Sequence, residues 1–329
     1  MKLVSYPTNY SSLFDDNYFR FEEVDASTPT EILFLREDGE PLGARRYVGR
    51  EVIETSPKSL LRRVLAPQPR AAAKCEFVAV DDRDVALMVV YNENSMRTPT
   101  ARFTACHTPL DRLALFGLQE QKRTISRGEF DEVAITAPAG VTLEAYCSLA
   151  GGTKRNLARM LTGEREGVWL LTIHTDHLLS VVGAVGEECD VEVVVNVAGN
   201  LLAHIGYTIE PRRRGDVRLA WIDPYGAISY HTFHRTDPEQ ILSLRTECQT
   251  SEGTQFLSLE GWSDLRLGSG YLSAAEWERV SAVVTAPKVW VVEEGFIPAV
   301  LSSSKALYGV GEGYTVELSV RPAKKTTFW

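Results

Sequence analysis

His174-Thr175-Asp176-His177 gathers two imidazoles and a carboxylate at the end of an apolar run. Imidazole and carboxylate are the zinc ligands of hydrolases, in which about three protein ligands leave one position for an activated water. More imidazoles would have to come from His107, His204, His231 or His234, and none of these has a comparable setting. The run reads as a polar loop with partly buried imidazoles. His231 and His234 are three apart on an expected strand. Residues so spaced point to opposite faces and share a ligand only across a bulge.

The histidine run partly resembles the H-x-H-x-D-H motif of metallo-β-lactamase-like hydrolases, but Thr172 stands where its first histidine would fall. Gly309, Gly311 and Gly313 precede an alternating segment, 314–320, so they read as a β-hairpin rather than a phosphate loop opening a helix. Gly151-Gly152-Thr153-Lys154 lacks the order of a P-loop. Acidic pairs occur at Asp15-Asp16, Glu22-Glu23, Asp81-Asp82, Glu187-Glu188 and Glu293-Glu294. Glycoside hydrolysis needs two converging carboxylates, whereas neighbours on a strand face opposite ways. These pairs read as solvated turns. No G-x-S-x-G elbow is present. No catalytic, cofactor-binding or metal-ligating residue is assigned, and no cofactor is expected. Trp221, Tyr225, Tyr230, Trp262, Tyr271, Trp290 and Trp329 are the aromatics of a conceivable sugar platform, although core packing accounts for most such residues.

The elements that would position these groups are mostly short runs of β-branched and aromatic residues broken by turn chemistry. Segment 31–36 leads through Asp38-Gly39 into 44–52. Segments 77–80 and 85–91 flank the acidic turn 81–84 and suggest a hairpin, and 132–136 and 141–146 flank Pro138-Ala139-Gly140. Segments 191–197 and 201–210 pair across Ala198-Gly199-Asn200, and 217–222 and 227–233 across Asp223-Pro224-Tyr225-Gly226. The spacing suits sandwiches or small barrels. The fold class is therefore mainly β: two or three antiparallel β-sandwich or barrel-like modules with a few short helices. The best helix is 273–285, opened by the capping box Ser273 and Glu276 and ended by Pro287. Segment 56–65, with Ser56 and Pro57 at its start, is a second, and 153–161 a weaker third.

The chain has 329 residues, 44% of them hydrophobic and 24% charged, enough apolar material for several cores. Its net charge of −9 argues against nucleic acid as a partner, and Arg212-Arg213-Arg214 reads as a solvated turn. Cys75, Cys106, Cys147, Cys189 and Cys248 are far apart and odd in number, which suits small buried hydrophobes in a reducing compartment. Residues 1–17 do not read as a signal peptide, and 168–185 carries too many polar groups for a membrane span. Synthesis in the cytoplasm is expected. Composition shifts near 100 and 212–215 divide the chain into an N-terminal β module with one short helix (1–100), a middle sandwich-like module (101–211) and a C-terminal β module with helix 273–285 (212–329).

The C-terminal third then becomes familiar. The run 217–233, with Trp221, Gly226, Tyr230 and Phe233, resembles a pattern in structural proteins of phages and prophages of Bacteroides-type bacteria. So do Ser269-Gly270-Tyr271-Leu272-Ser273-Ala274-Ala275-Glu276, the strand pair 288–292 and 296–301 around Glu293-Glu294-Gly295, and the last strand 314–321. A fainter likeness covers Asp38-Gly39, Arg45-Arg46-Tyr47 and Leu60-Leu61-Arg62. Together these span about half the chain; Asp223-Pro224 replaces the Asn-Arg usual at that turn, and 101–211 has no counterpart. The resemblance implies a non-enzymatic tail or virion component that assembles with other structural chains or with copies of itself. It carries over no catalytic residue. The alternatives are a carbohydrate- or cell-surface-binding β module, with a glycan as partner, and a metal-dependent hydrolase centred on His174 and His177.

Overall fold

The computed structural model describes residues 1–9, 11–13, 16–80, 84–91, 96–105, 114–115, 120–164, 166–184, 188–237, 240–251, 253–309 and 313–323. It is mainly β, with short helices at Lys58–Val64, Thr175–Val182 and Ala274–Val280, and a 3-10 turn at Ser281–Thr285. No helix among the described residues is long and apolar enough to cross a membrane.

The N-terminal strands alternate by two, as a half-buried strand must. In Thr30–Arg36, Ile32 and Phe34 point inward; in Phe19–Glu22, Phe19 and Phe21 do. With Leu87, Val89 and Phe103 they form one core between a sheet ordered Lys2–Ser5, Phe19–Glu22, Ile53–Thr55 and a second built on Thr30–Arg36 and Asp84–Tyr91. Each such fully buried ring is worth about 1.5–3 kcal/mol of transfer from water. Leu61 of helix Lys58–Val64 closes the core. The helix starts one residue later than the Ser-Pro start suggests: Pro57 is the N-cap, its carbonyl accepts the first helical bonds, and Ser56 Oγ accepts from Lys58 N at 3.3 Å.

The expected hairpin of 77–80 with 85–91 does not form. Glu76–Ala79 pairs with Gly167–His174, while Asp84–Tyr91 pairs with Thr30–Arg36 and Ala101–Thr104. Strands Glu76–Ala79 and Asp84–Tyr91 therefore serve different cores, and residues 76–79 belong with a sheet further along.

That sheet runs Ala114–Leu115, Phe130–Ala137, Gly167–His174, Glu76–Ala79. It faces a five-stranded sheet, Glu120–Ser126, Asn200–Glu210, Cys189–Val197, Thr142–Leu149, Arg155–Leu161. Val191, Val193, Val195, Ile205 and Tyr207 on one side meet Ile135, Trp169, Leu171 and Ile173 on the other, making a sandwich core. Phe130–Ala137 and Thr142–Leu149 lie in opposite sheets, so Pro138-Ala139-Gly140 turns the chain between layers. Segment 153–161 is not a helix. Arg155–Leu161 pairs as a strand with Thr142–Leu149, because that ladder outweighs the helix propensity of its Leu, Ala, Arg and Met.

The C-terminal sheet is ordered Ile228–Arg235, Val217–Ile222, Val289–Val292, Phe296–Gly309, Gly313–Pro322, Gly253–Gly268. His234 and Arg235 pair back onto Gly268 and Leu267 and close it into a six-stranded barrel. Leu219, Trp221, Phe233, Val316 and Leu318 fill it, and Val280 and Val283 plug it. The plug opens with the capping box: Ser273 Oγ accepts from Glu276 N, and a Glu276 carboxylate oxygen accepts from Ser273 N.

Gly167–His174, Phe130–Ala137 and Val217–Ile222 are buried on both faces. Val168, Leu170 and Ala134 lie outside the sandwich core and pack on Ala227 and Tyr225 of the barrel. Phe130 meets Tyr230, Trp290 and Phe296 in the same seam. The barrel thus covers the outer face of one sandwich sheet, and the two modules share a buried interface.

Candidate functional site

The seam is where charged side chains are buried. Glu129 sits at the turn before Phe130–Ala137; Arg218 and Thr232 come from neighbouring barrel strands, and the other face of the Arg218 strand is apolar. Arg218 Nη1 donates to Glu129 Oε2 at 2.8 Å and to Thr232 Oγ1 at 3.0 Å, and Thr232 Oγ1 donates to Glu129 Oε2 at 2.7 Å. Arg218 Nη2 donates to the Phe130 carbonyl, and the guanidinium lies over the Tyr230 ring at 5.3 Å. This is a buried, nearly saturated ion pair joining the modules.

A second cluster is as deeply buried. Arg123, on Glu120–Ser126, donates from Nη1 to Asp131 Oδ2 at 2.7 Å and to the Glu132 carbonyl at 3.0 Å, and from Nε to Gln121 Oε1 at 2.8 Å. Tyr207 donates to the same Asp131 oxygen at 3.3 Å. Burial opposes the Arg123 charge, but Asp131 beside it holds the guanidinium firmly protonated. Burial and the adjoining Asp131 carboxylate push the Tyr207 phenol far up, so it stays a donor. Arg279, from the plug helix, donates to the Tyr230 carbonyl at 2.7 Å. Its pKa falls to about 10, through burial and then the repulsion of Arg123.

Arg123 and Arg279 help wall a cavity of about 240 Å³ between sandwich and barrel, lined also by Gln121, Glu132, Val133, Ala134, Tyr225, Ala227, Ile228 and Ser229 among others. Asp223 also lines it. Its Oδ1 accepts from Tyr225 N and Ala227 N, and its Oδ2 from Ser229 Oγ, so it holds the turn of the 217–233 hairpin. Burial pushes its pKa up to about 6 against those hydrogen bonds. Glu276 fastens the plug helix to the sandwich by accepting from Thr124 Oγ1 at 2.5 Å. Burial pushes the Glu276 carboxyl up, but the hydrogen bonds from Thr124 and Ser273 outweigh it and hold the pKa down.

The histidines singled out by their spacing lie elsewhere. His174 ends a strand, and Thr175–Val182 is a helix, so the expected loop is a strand end and a first helical turn closed at Gly183. His177 Nδ1 accepts from Cys75 N at 2.9 Å, while Asp176 is exposed. Burial pushes the Cys75 thiol up to about 11. Among the described residues no three His, Cys, Asp or Glu side chains are grouped as metal ligands. His231 and His234 do face opposite ways: His231 is buried against Phe233, and His234 meets Asp216 at 2.7 Å. Gly309 pairs with Gly313 across the predicted hairpin. Of the aromatics, Trp221, Tyr230 and Trp290 are buried and Tyr271 is exposed. The Trp262 side chain and Trp329 lie outside the described residues, as do His107 and Cys106.

No family model and no curated protein matches this chain. Among solved structures, a crystal structure of a chicken TCR is similar over 62% of this chain and 88% of its own, at 9% identity and a TM-score of 0.19. A likeness at that level leaves function to the residues themselves.

Spacing did not single out Arg123, Glu129, Asp131, Glu132, Arg218 or Arg279. The signal was present in another form. Glu129 precedes, and Asp131 and Glu132 lie within, an otherwise largely apolar strand, and Arg218 interrupts the run Val217-Arg218-Leu219-Ala220-Trp221-Ile222. A charge inside a strand buried on both faces needs a partner across an interface.

Proposed function

We propose that the chain is a non-enzymatic structural and assembly protein, of the phage or prophage tail and virion kind that its turn and aromatic pattern resembles. One observation carries this reading. Gln240–Thr250 pairs with residues 253–264 and, among the described residues, with no other strand, so an arm of two strands extends from the barrel. At ~3.3 Å per residue, its 11-residue strand reaches roughly 35 Å. A two-stranded ribbon is marginal alone, and each of its outer edges offers unpaired N–H and C=O groups to another chain. The sandwich and barrel, joined by the buried Arg218–Glu129 pair, give such an arm a stiff base.

The test is light scattering on the full chain as its concentration rises. In a shortened variant, residues 243–261 are replaced by Asn-Gly, joining Leu242 to its cross-strand partner Trp262 by a two-residue turn. The full chain is expected to form larger species, and the shortened one to remain a monomer with unchanged near-ultraviolet dichroism. A single-chain mass for both at every concentration, or assembly that survives the shortening, would overturn the proposal.

A further inference from the structure

Arg279 is only 9% exposed, and its Nη1 is committed to the Tyr230 carbonyl. Its Nε–H and Nη2–H meet no acceptor. On a guanidinium those two bonds run side by side and form the edge that takes both oxygens of one carboxylate. The nearby acids are engaged elsewhere: Asp131 with Arg123 and Tyr207, Glu276 with Thr124 and Ser273. Such a donor pair is costly to leave unmet in a buried place. Arg279 also belongs to the wall of the cavity between sandwich and barrel.

We propose that this cavity binds a small monocarboxylate with an apolar body, the carboxylate on the Nε and Nη2 edge of Arg279 and the body against Tyr225, Ala227 and Ile228. The edge is covered by its neighbours, so binding turns the guanidinium toward the ligand about its anchored Nη1. Glu132, Asp223 and Glu278 on the same walls disfavour a more highly charged anion such as phosphate. The site is independent of the arm and of any assembly the arm makes.

Isothermal titration of the full chain with benzoate, its neutral isostere benzamide and inorganic phosphate tests this. Benzoate is expected to bind once per chain, with benzamide and phosphate at least about tenfold weaker. Arg279→Lys keeps the charge but loses the paired donors. Ala282→Phe fills the cavity from the plug side without touching the bond from Arg279 to Tyr230. Each is expected to weaken benzoate at least about tenfold. If Arg279→Lys does not fold, Ala282→Phe still decides. Undetectable benzoate binding, benzamide or phosphate binding as tightly as benzoate, or undiminished binding in the Ala282→Phe chain would overturn the proposal.

Discussion

Arg218 of the barrel and Glu129 of the sandwich meet at 2.8 Å with side chains 3% and 6% exposed. Removing one partner strands the other charge in a dry place. Arg218→Met is expected to cost about 3–5 kcal/mol in urea unfolding. The double variant with Glu129→Leu should cost clearly less than the two single losses added together. Additive losses would show that the pair is not coupled.

Asp223 has a folded pKa of about 6, raised chiefly by burial above its ordinary value of 3.8. The folded state therefore holds a proton that the unfolded state has released between those values. Its contribution to stability is fully present below about pH 4 and is lost as pH rises to about 6. Asp223→Asn removes that dependence. Relative to the variant, the wild type should weaken from pH 4 to pH 6.5. Parallel stability curves for the two chains would refute this.

His231 has the opposite sign. Burial and then the guanidiniums of Arg279 and Arg218 hold its pKa well below 6.5, so the folded chain keeps a neutral ring that becomes charged on unfolding. That stability is present above about pH 6.5 and is lost as pH falls below it. His231→Leu is expected to flatten this acid branch of the stability curve. An acid branch as steep as that of the wild type would assign the loss to other groups.

Gly313 has φ of +81° and lies under the Tyr271 ring, where an added Cβ would come within 2.8 Å of Cδ1. Gly313→Ala is expected to cost about 1–2 kcal/mol for the left-handed backbone, plus the displacement of the ring. Tyr271→Ala should relieve only the second part. A thermal midpoint unchanged by Gly313→Ala would contradict this.

Local chemistry wrote much of the architecture into the chain. Alternation in Thr30–Arg36 marks a half-buried strand, Asp38-Gly39 and Asp223–Gly226 mark tight turns, and Ser273 with Glu276 marks a helix start. Each signal acts within a few residues, so each is readable without the rest of the molecule. Residues 153–161 show the limit. Their helix formers were overridden by pairing with Thr142–Leu149, a neighbour chosen by the sheet. Residues 77–80 show it again, since their partner lies about ninety residues away.

The site was legible only as residue types out of place: Arg218 in one apolar strand, Asp131 and Glu132 in another. Which charges meet depends on laying the barrel over the outer face of the sandwich. That docking brings Arg218 to Glu129 across 89 positions and Thr232 to Glu129 across 103. Residue type and periodicity decided the strands, turns and capped helix, because backbone preference and side-chain alternation are local. The buried charge network and its cavity were decided by tertiary structure alone, because desolvation and pairing energies exist only once distant faces close and exclude water.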